Sequence, residues 1–250
     1  MPFYRDNVYP YLVDILGNPK AIEEIRQRIV PLAEGNVLEI GVGPGVNFVH
    51  YDPGRVNKLY ALEPNPGMLR RAEEQRQKTK LDVEFLGQPG EEIPLADASV
   101  DTVVSTFSLC TISGVVEAIA GVSRILKPGG KFIFFEHGLS PDASVQRWQK
   151  RTEPLFRCVF EGCHVTRDIP DLVRKGGFVI QKIDAGYVSP FPKSGSYCWW
   201  GVAVPDPKPA TSTLRQSPPV SSPEIDASKN PDPPLGMGSW GRGGLCRYLR

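Results

Sequence analysis

Ile22, Ile25, Ile29 and Leu32 recur every three or four positions with charged residues between them, which predicts an amphipathic helix over 19–34. The period then changes. Residues 37–40, apolar except for Glu39, form a short run of the kind found in strands covered on both faces. Comparable runs follow at 58–62, 82–86, 100–106 and 131–135. Helical patterns stand between them at 66–80, with Pro66 in the first turn, and at 115–126, closed by Lys127-Pro128-Gly129-Gly130 as a sharp stop. Residues 47–51 read as the first turns of a helix, halted by Pro53 and Gly54. Strand alternating with helix predicts an α/β fold with a parallel sheet covered on both faces. Residues 141–176 read as mostly helical. Two more strands, 178–183 and 197–204, are joined through a Pro/Gly/Ser loop at 189–196, so they should pair as an antiparallel hairpin at a sheet edge. The boundaries that follow are a helical cap at 1–35, one domain at 36–204 and a tail at 205–250. The tail is rich in Pro, Ser and Gly without apolar periodicity and is expected to be disordered.

Charge narrows the partners. Lys and Arg total 29 against 28 Asp and Glu, a formal net charge of +1. So even a balance gives no footprint for nucleic acid and implies no membrane surface. No apolar run reaches the length of a membrane span, and the first twenty residues lack the apolar stretch of a signal peptide. A cytoplasmic protein, monomeric and acting on a small molecule, is the expectation. The five cysteines form no CxxC pair, so neither a disulfide framework nor a metal site is expected. Cys158, Cys163 and His164 lie close in sequence but read as core thiols beside a histidine.

Residues 36–48, NVLEIGVGPGVNF, carry the chemistry. A strand ends in Glu39, and Gly41, Gly43 and Gly45 follow on alternate positions, a bare loop that lets a ligand approach the backbone. The third glycine comes one place too early for a dinucleotide fingerprint, and no Gly-Lys-Ser/Thr follows as a phosphate loop requires. Glu39 suits a cationic amino group. Glu63 closes the second strand, where a carboxylate meets the two hydroxyls of a ribose. S-Adenosylmethionine has both features. A tight turn with a solvated Glu63 is the bland alternative.

LEIGVGPGVNF, ALEPNP, VDTVVSTFSLCTI and RILKPGGKFIFFEHG resemble a class I S-adenosylmethionine-dependent methyltransferase. EPNP (63–66), QPGEEIPLADASVDTVV (88–104), EH (136–137) and EPLFRCVFEGCHVTRD (153–168) narrow the resemblance to the methyltransferase-like 7 family of alkyl thiol methyltransferases. The likeness covers roughly 35–204. It implies a Rossmann-like, seven-stranded, mostly parallel sheet with helices on both faces and the last strand antiparallel. It also implies that Gly41, Val42, Gly43, Gly45 and Asn47 hold the methionine moiety beside Glu39. Glu63 would bind the ribose with Pro64, Asn65 and Met68 nearby. Gly90, Glu91 and Glu92 fall where adenine is read, although Pro89-Gly90 stands where many relatives have Asp-Ala. Thr106 and Phe107 would border the sulfonium.

Methyl transfer is an in-line displacement, so the protein must align nucleophile, methyl and sulfur and exclude water. A thiol acceptor must also become a thiolate. His137, just after the fifth strand, is the general-base candidate. His164 is a second pocket candidate, Arg167 and Asp168 a possible buried pair, and Tyr4, Tyr9 and Tyr11 a possible lid. Other acceptors remain open at this stage: a quinone precursor, an amine or phospholipid headgroup, or no turnover at all in a cofactor-binding protein.

Overall fold

The computed structural model describes residues 3–16, 19–188 and 192–207. Most of the expected tail lies outside them. Tyr4–Val8 winds as π-helical turns into α1 (Tyr9–Leu16), and α2 (Lys20–Ile29) follows. The sheet then begins with β1 (Gly35–Ile40), β2 (Val56–Leu62), α3 (Pro66–Arg76), β3 (Val83–Leu86), β4 (Val100–Thr106), α4 (Val115–Ile125) and β5 (Leu126–His137). Next come α5 (Ala143–Val159), α6 (Ile169–Lys175), β6 (Phe178–Tyr187), α7 (Lys193–Ser196) and β7 (Tyr197–Pro205).

Seven strands line up as β3-β2-β1-β4-β5-β7-β6. The first five pair in parallel, and β7 runs antiparallel to both β5 and β6. The consecutive apolar residues of these strands are explained by the two faces. Val37, Val104, Ile133 and Phe135 join one core cluster with Ile22, Ile25 and Ile29 of α2. Leu38, Val103, Phe132 and Phe134 join the other with Val115, Ile119 and Val122 of α4. Alternate residues of one strand thus enter opposite layers. A fully buried ring or branched side chain there contributes about 1.5–3 kcal/mol.

Three expectations shift. The predicted helix stop at 127–130 lies inside β5: Leu126 pairs with Val100, Lys131 with Thr102, and the four residues between loop out as a bulge. Residues 47–51 form only a short 3-10 turn, Phe48–His50. The long helical stretch at 141–176 breaks in two, because Glu161 and Gly162 take left-handed backbone angles after α5. The chain at 160–168 is therefore a loop, and it returns to the sheet's carboxyl edge. There His164 N donates to the Cys110 carbonyl at 2.7 Å. Among the described residues no helix is long and apolar enough to cross a membrane.

Strand order reverses between β1 and β4, one leading to β2 and the other to β5. Ligands of open α/β sheets bind outside the strand ends at such a point. The glycine loop after β1 and the loop after β4 meet there.

Candidate active site

A cavity of about 450 Å³ opens at this switch point. Its two ends are built differently.

One end comes from the β1 and β2 termini. Glu63 is buried, and its carboxylate joins two loops: Oε2 accepts from Gly43 N at 3.0 Å and Oε1 from Asn65 N at 2.9 Å. Burial raises its pKa, against the pull of those two N–H groups. Each oxygen keeps acceptor capacity toward the cavity, since a carboxylate offers about four lone-pair sites. Gly43 sits at φ +55°, and a Cβ there would stand in open space at the cavity. Glycine takes this angle without strain, and its amide then points at Glu63.

Gly41, Val42, Gly43, Glu63, Pro64, Asn65 and Met68 all line the cavity, as do Gly90, Glu91, Thr106 and Phe107. Asn65 acts by positioning. Its Oδ1 caps α3 through Gly67 N and Met68 N, and its Nδ2 donates to the Arg5 carbonyl at 2.9 Å. The N-terminal segment is thereby drawn over this end, and Arg5, Tyr9 and Val13 become part of the wall. Of the three tyrosines expected to form a lid, only Tyr9 lines the cavity. Tyr4 OH donates to the Val159 carbonyl, and exposed Tyr11 lies under Arg71.

Four expected ligand residues lie outside the lining. Glu39 shares the Val37 side of β1 and is fully buried beneath the loop. It accepts from Asn47 Nδ2 at 2.7 Å and from Tyr51 OH at 2.8 Å. Burial pushes its pKa up to about 7, against those two hydrogen bonds and the nearby charge of Arg26. Asn47 is likewise an internal brace, donating also to Thr106 Oγ1 at 2.9 Å. Gly45 packs rather than binds: a Cβ there would come within about 3.0 Å of Phe48 and 3.1 Å of Ala72. Glu92 is exposed, and Glu91 already accepts from Gly114 N at 2.8 Å. Sequence periodicity tells which loop binds but not which side chains of the loop turn inward.

The other end is assembled from distant segments. Phe107 follows β4 at φ +55°, an uncommon angle for a bulky residue. Its ring meets the His137 imidazole at 4.5 Å between centroids. Cys110, Phe156, Phe160 and Cys163 complete this wall. The His137 Nδ1 lies 3.9 Å from Cys110 Sγ and 3.7 Å from Cys163 Sγ. Cys163 is held well below an ordinary thiol by the hydrogen bond from Cys110, then by that of His137 and the charges of His137 and His164. Cys110 is correspondingly pushed up, first by the same bond and then by burial.

Glu136 lies beneath this wall, fully buried. It accepts from Ser105 Oγ at 2.6 Å, Ser108 N at 3.1 Å and Cys110 N at 3.2 Å, fixing the loop after β4. His164 faces away from the cavity and pairs with Glu153 at 2.7 Å. Arg167 and Asp168 do not pair: Arg167 donates to the Leu109 carbonyl, while Asp168 caps α6 through Asp171 N. Cys163 meets Cys110, 53 positions earlier by their numbers, and His137. No local motif could have announced that contact.

The family model described as a methyltransferase domain matches residues 38–134. Likeness in fold is broad. A SAM-dependent methyltransferase from Aquifex aeolicus superposes with a TM-score of 0.55 at 20% identity, covering 78% of this chain and 97% of that one. The [4+2]-cyclase SpnF superposes at 0.63 with 16% identity, over 82% of this chain and 94% of its own. At such identities these likenesses establish architecture alone. The loop, the Glu63 bridge and the matched domain together define a class I S-adenosylmethionine-dependent methyltransferase fold.

Curated relatives narrow this. Rat thiol S-methyltransferase TMT1B is 36% identical over 149 residues, 58% of this chain and 60% of that protein. The human TMT1B is 34% identical over 175 residues, 64% of this chain and 70% of that protein. Human TMT1A is 33% identical over 156 residues, and the chain matches 62% of its length. The chain belongs to this family of class I S-adenosylmethionine-dependent methyltransferases.

The residues present fit the family's cofactor. Glu63 retains acceptor capacity at the cavity, and the Gly43 position leaves room a Cβ would fill. Tyr9 and Phe107 supply aromatic walls. When bound, S-adenosylmethionine supplies an electrophilic methyl group on a cationic sulfur.

Proposed function

We propose that the protein methylates a small thiol, with S-adenosylmethionine as donor. The observation that carries the reading is the acceptor end itself, an apolar wall of Phe107, Phe156 and Phe160 around His137 and two sulfurs. The names of the TMT1A and TMT1B relatives, thiol S-methyltransferases, point the same way.

In this reading Glu63 and the 41–43 loop hold the nucleoside and methionine parts. Pro89, Gly90, Glu91 and Ile112 form the adenine wall, replacing the direct role expected for Glu92. Phe107 orients His137 by ring contact and excludes water. The apolar rings select an uncharged alkyl or aryl thiol and disfavour a phospholipid headgroup, whose charges they could not compensate. His137 lowers the cost of forming the thiolate, the species that attacks. Positioning of this kind supplies several kcal/mol of a displacement barrier.

The test is transfer of label from S-adenosylmethionine to a panel of alkyl thiol, hydrogen sulfide, quinol precursor and ethanolamine lipid. Label should reach the thiols, and His137→Ala should lower that rate about 100-fold. Transfer to the quinol or the lipid with thiols untouched would overturn the assignment.

A further inference from the structure

The acceptor end holds two sulfurs beside His137 to which the thiol reading gives no chemical role. Cys110 Sγ, Cys163 Sγ and one ring nitrogen of His137 all lie within 4.8 Å of one another, and all three residues line the cavity. A tetrahedral zinc ion has bonds of about 2.3 Å to sulfur and about 2.0–2.1 Å to nitrogen, which sets sulfur and nitrogen about 3.5 Å apart. The observed separations from Nδ1 are 3.9 Å and 3.7 Å. Small side-chain rotations would close the rest.

The group is also braced. The Cys110 amide is held by Glu136 at 3.2 Å and its carbonyl by His164 N at 2.7 Å. The Cys163 amide donates to the Phe160 carbonyl at 3.0 Å. Both sulfurs therefore stand on backbone that is fixed before any ligand arrives, as the surroundings of metal sites generally are. Two cysteines and one imidazole form a donor set that suits zinc rather than magnesium or calcium. Three protein ligands beside a cavity make the open kind of site, where a fourth position takes a reactant.

We propose that Cys110, His137 and Cys163 bind a zinc-class divalent ion whose open fourth position, facing the cavity, takes the sulfur of the acceptor. The acceptor role rests on the thiol reading above; the metal site does not. On binding, a metal–sulfur bond forms and the S–H proton leaves to solvent, because a coordinated thiol is deprotonated outright. The sulfur lone pair then forms the new S–CH3 bond as the donor's S–CH3 bond breaks; the bonding pair stays on the donor sulfur, S-adenosylhomocysteine is released, and the methylated acceptor, now a neutral thioether, dissociates from the metal. His137 acts as a ligand, which explains why its Nδ1 faces two sulfurs.

Chelator-stripped full-length protein would be titrated with Co2+ and followed by its thiolate-to-cobalt charge-transfer and tetrahedral visible bands. One equivalent should bind with both sets of bands. Cys163→Ser and Cys110→Ser should each weaken binding more than about 100-fold, beyond the usual effect of losing an outer partner. Cys158→Ser, a thiol outside the cluster, should leave it unchanged. S-Adenosylmethionine affinity, measured on each variant, reports whether it is folded. Addition of 2-mercaptoethanol should intensify the charge-transfer bands.

Absence of the bands in protein that binds S-adenosylmethionine would overturn the site, as would their survival in Cys163→Ser. Bands that ignore 2-mercaptoethanol would overturn the fourth-position assignment. Bands that respond to it, in protein that methylates no thiol, would leave the site standing and sink the acceptor reading instead.

Discussion

The two ends of the cavity contrast in how they are built. The centre of the cofactor end is made by chain segments that are neighbours in sequence and in the sheet: the β1 loop, the end of β2 and the start of α3, within 41–68, to which the N-terminal segment adds Arg5 and Tyr9. One carboxylate, Glu63, joins them with two hydrogen bonds. The acceptor end gathers Phe107 and Cys110 from the loop after β4, His137 from the end of β5, Phe156 from α5 and Cys163 from the loop after α5. A local end can be specified by a motif. An assembled end depends on long-range contacts such as the pairing of residue 164 with the carbonyl of Cys110. Changes at one end should therefore act on cofactor affinity and changes at the other on turnover.

The largest effect is expected at the loop. Gly43→Val forces a β-branched side chain into a left-handed angle and fills space at the cavity. Strain of about 1–3 kcal/mol adds to the lost volume. S-Adenosylmethionine affinity measured by calorimetry should drop on the order of 100-fold, and Glu63→Ala should weaken it by a similar amount. Wild-type affinity in both variants would dissolve the contrast.

A smaller effect tests the lid. A Cβ at Gly67 would stand 2.1 Å from the Asp6 carbonyl oxygen, so α3 and the N-terminal segment touch through bare backbone. Gly67→Ala should displace that segment, expose Tyr9 and weaken cofactor affinity by roughly 10-fold, within the range of local strain costs. Proteolysis near residue 6 should quicken in the variant. Unaltered cleavage and affinity would show that the segment does not close this end.

A third effect falls on stability rather than on affinity and concerns pH. Glu39 has a folded pKa of about 7 against 4.5 for a free carboxyl. The folded state thus holds a proton that the unfolded chain gives up, and stability falls as pH rises through the window between these values. Glu63 and Glu136 are raised by burial too and act in the same direction. Glu39→Gln should flatten the decline by on the order of 2–3 kcal/mol between pH 4.5 and pH 7, followed by thermal unfolding. An unchanged slope would show that Glu39 is ionised at no such cost.

The same contrast explains how far the sequence could be read. The five parallel strands and the edge hairpin were legible because buried strands are mostly apolar on both faces, as 132–135 shows. Glu63 was legible from its distance to the glycines. Glu39 and Asn47 were not, since a loop's curvature decides which polar side chains turn inward and which brace it from below. The segment at 160–168 falls within the stretch that reads as mostly helical, while Glu161 and Gly162 in fact reverse the chain. That reversal brings Cys163 to Cys110 and His137. Tertiary contact alone makes the cluster.

The most direct test of the two-ended account is paired measurement on one preparation of Glu63→Ala and Cys163→Ser: S-adenosylmethionine affinity by calorimetry, and methyl transfer to an alkyl thiol at saturating cofactor. Glu63→Ala should lose affinity, while Cys163→Ser keeps wild-type affinity and loses turnover. Equal loss of affinity in both variants would contradict the account, because the two ends would then be one site.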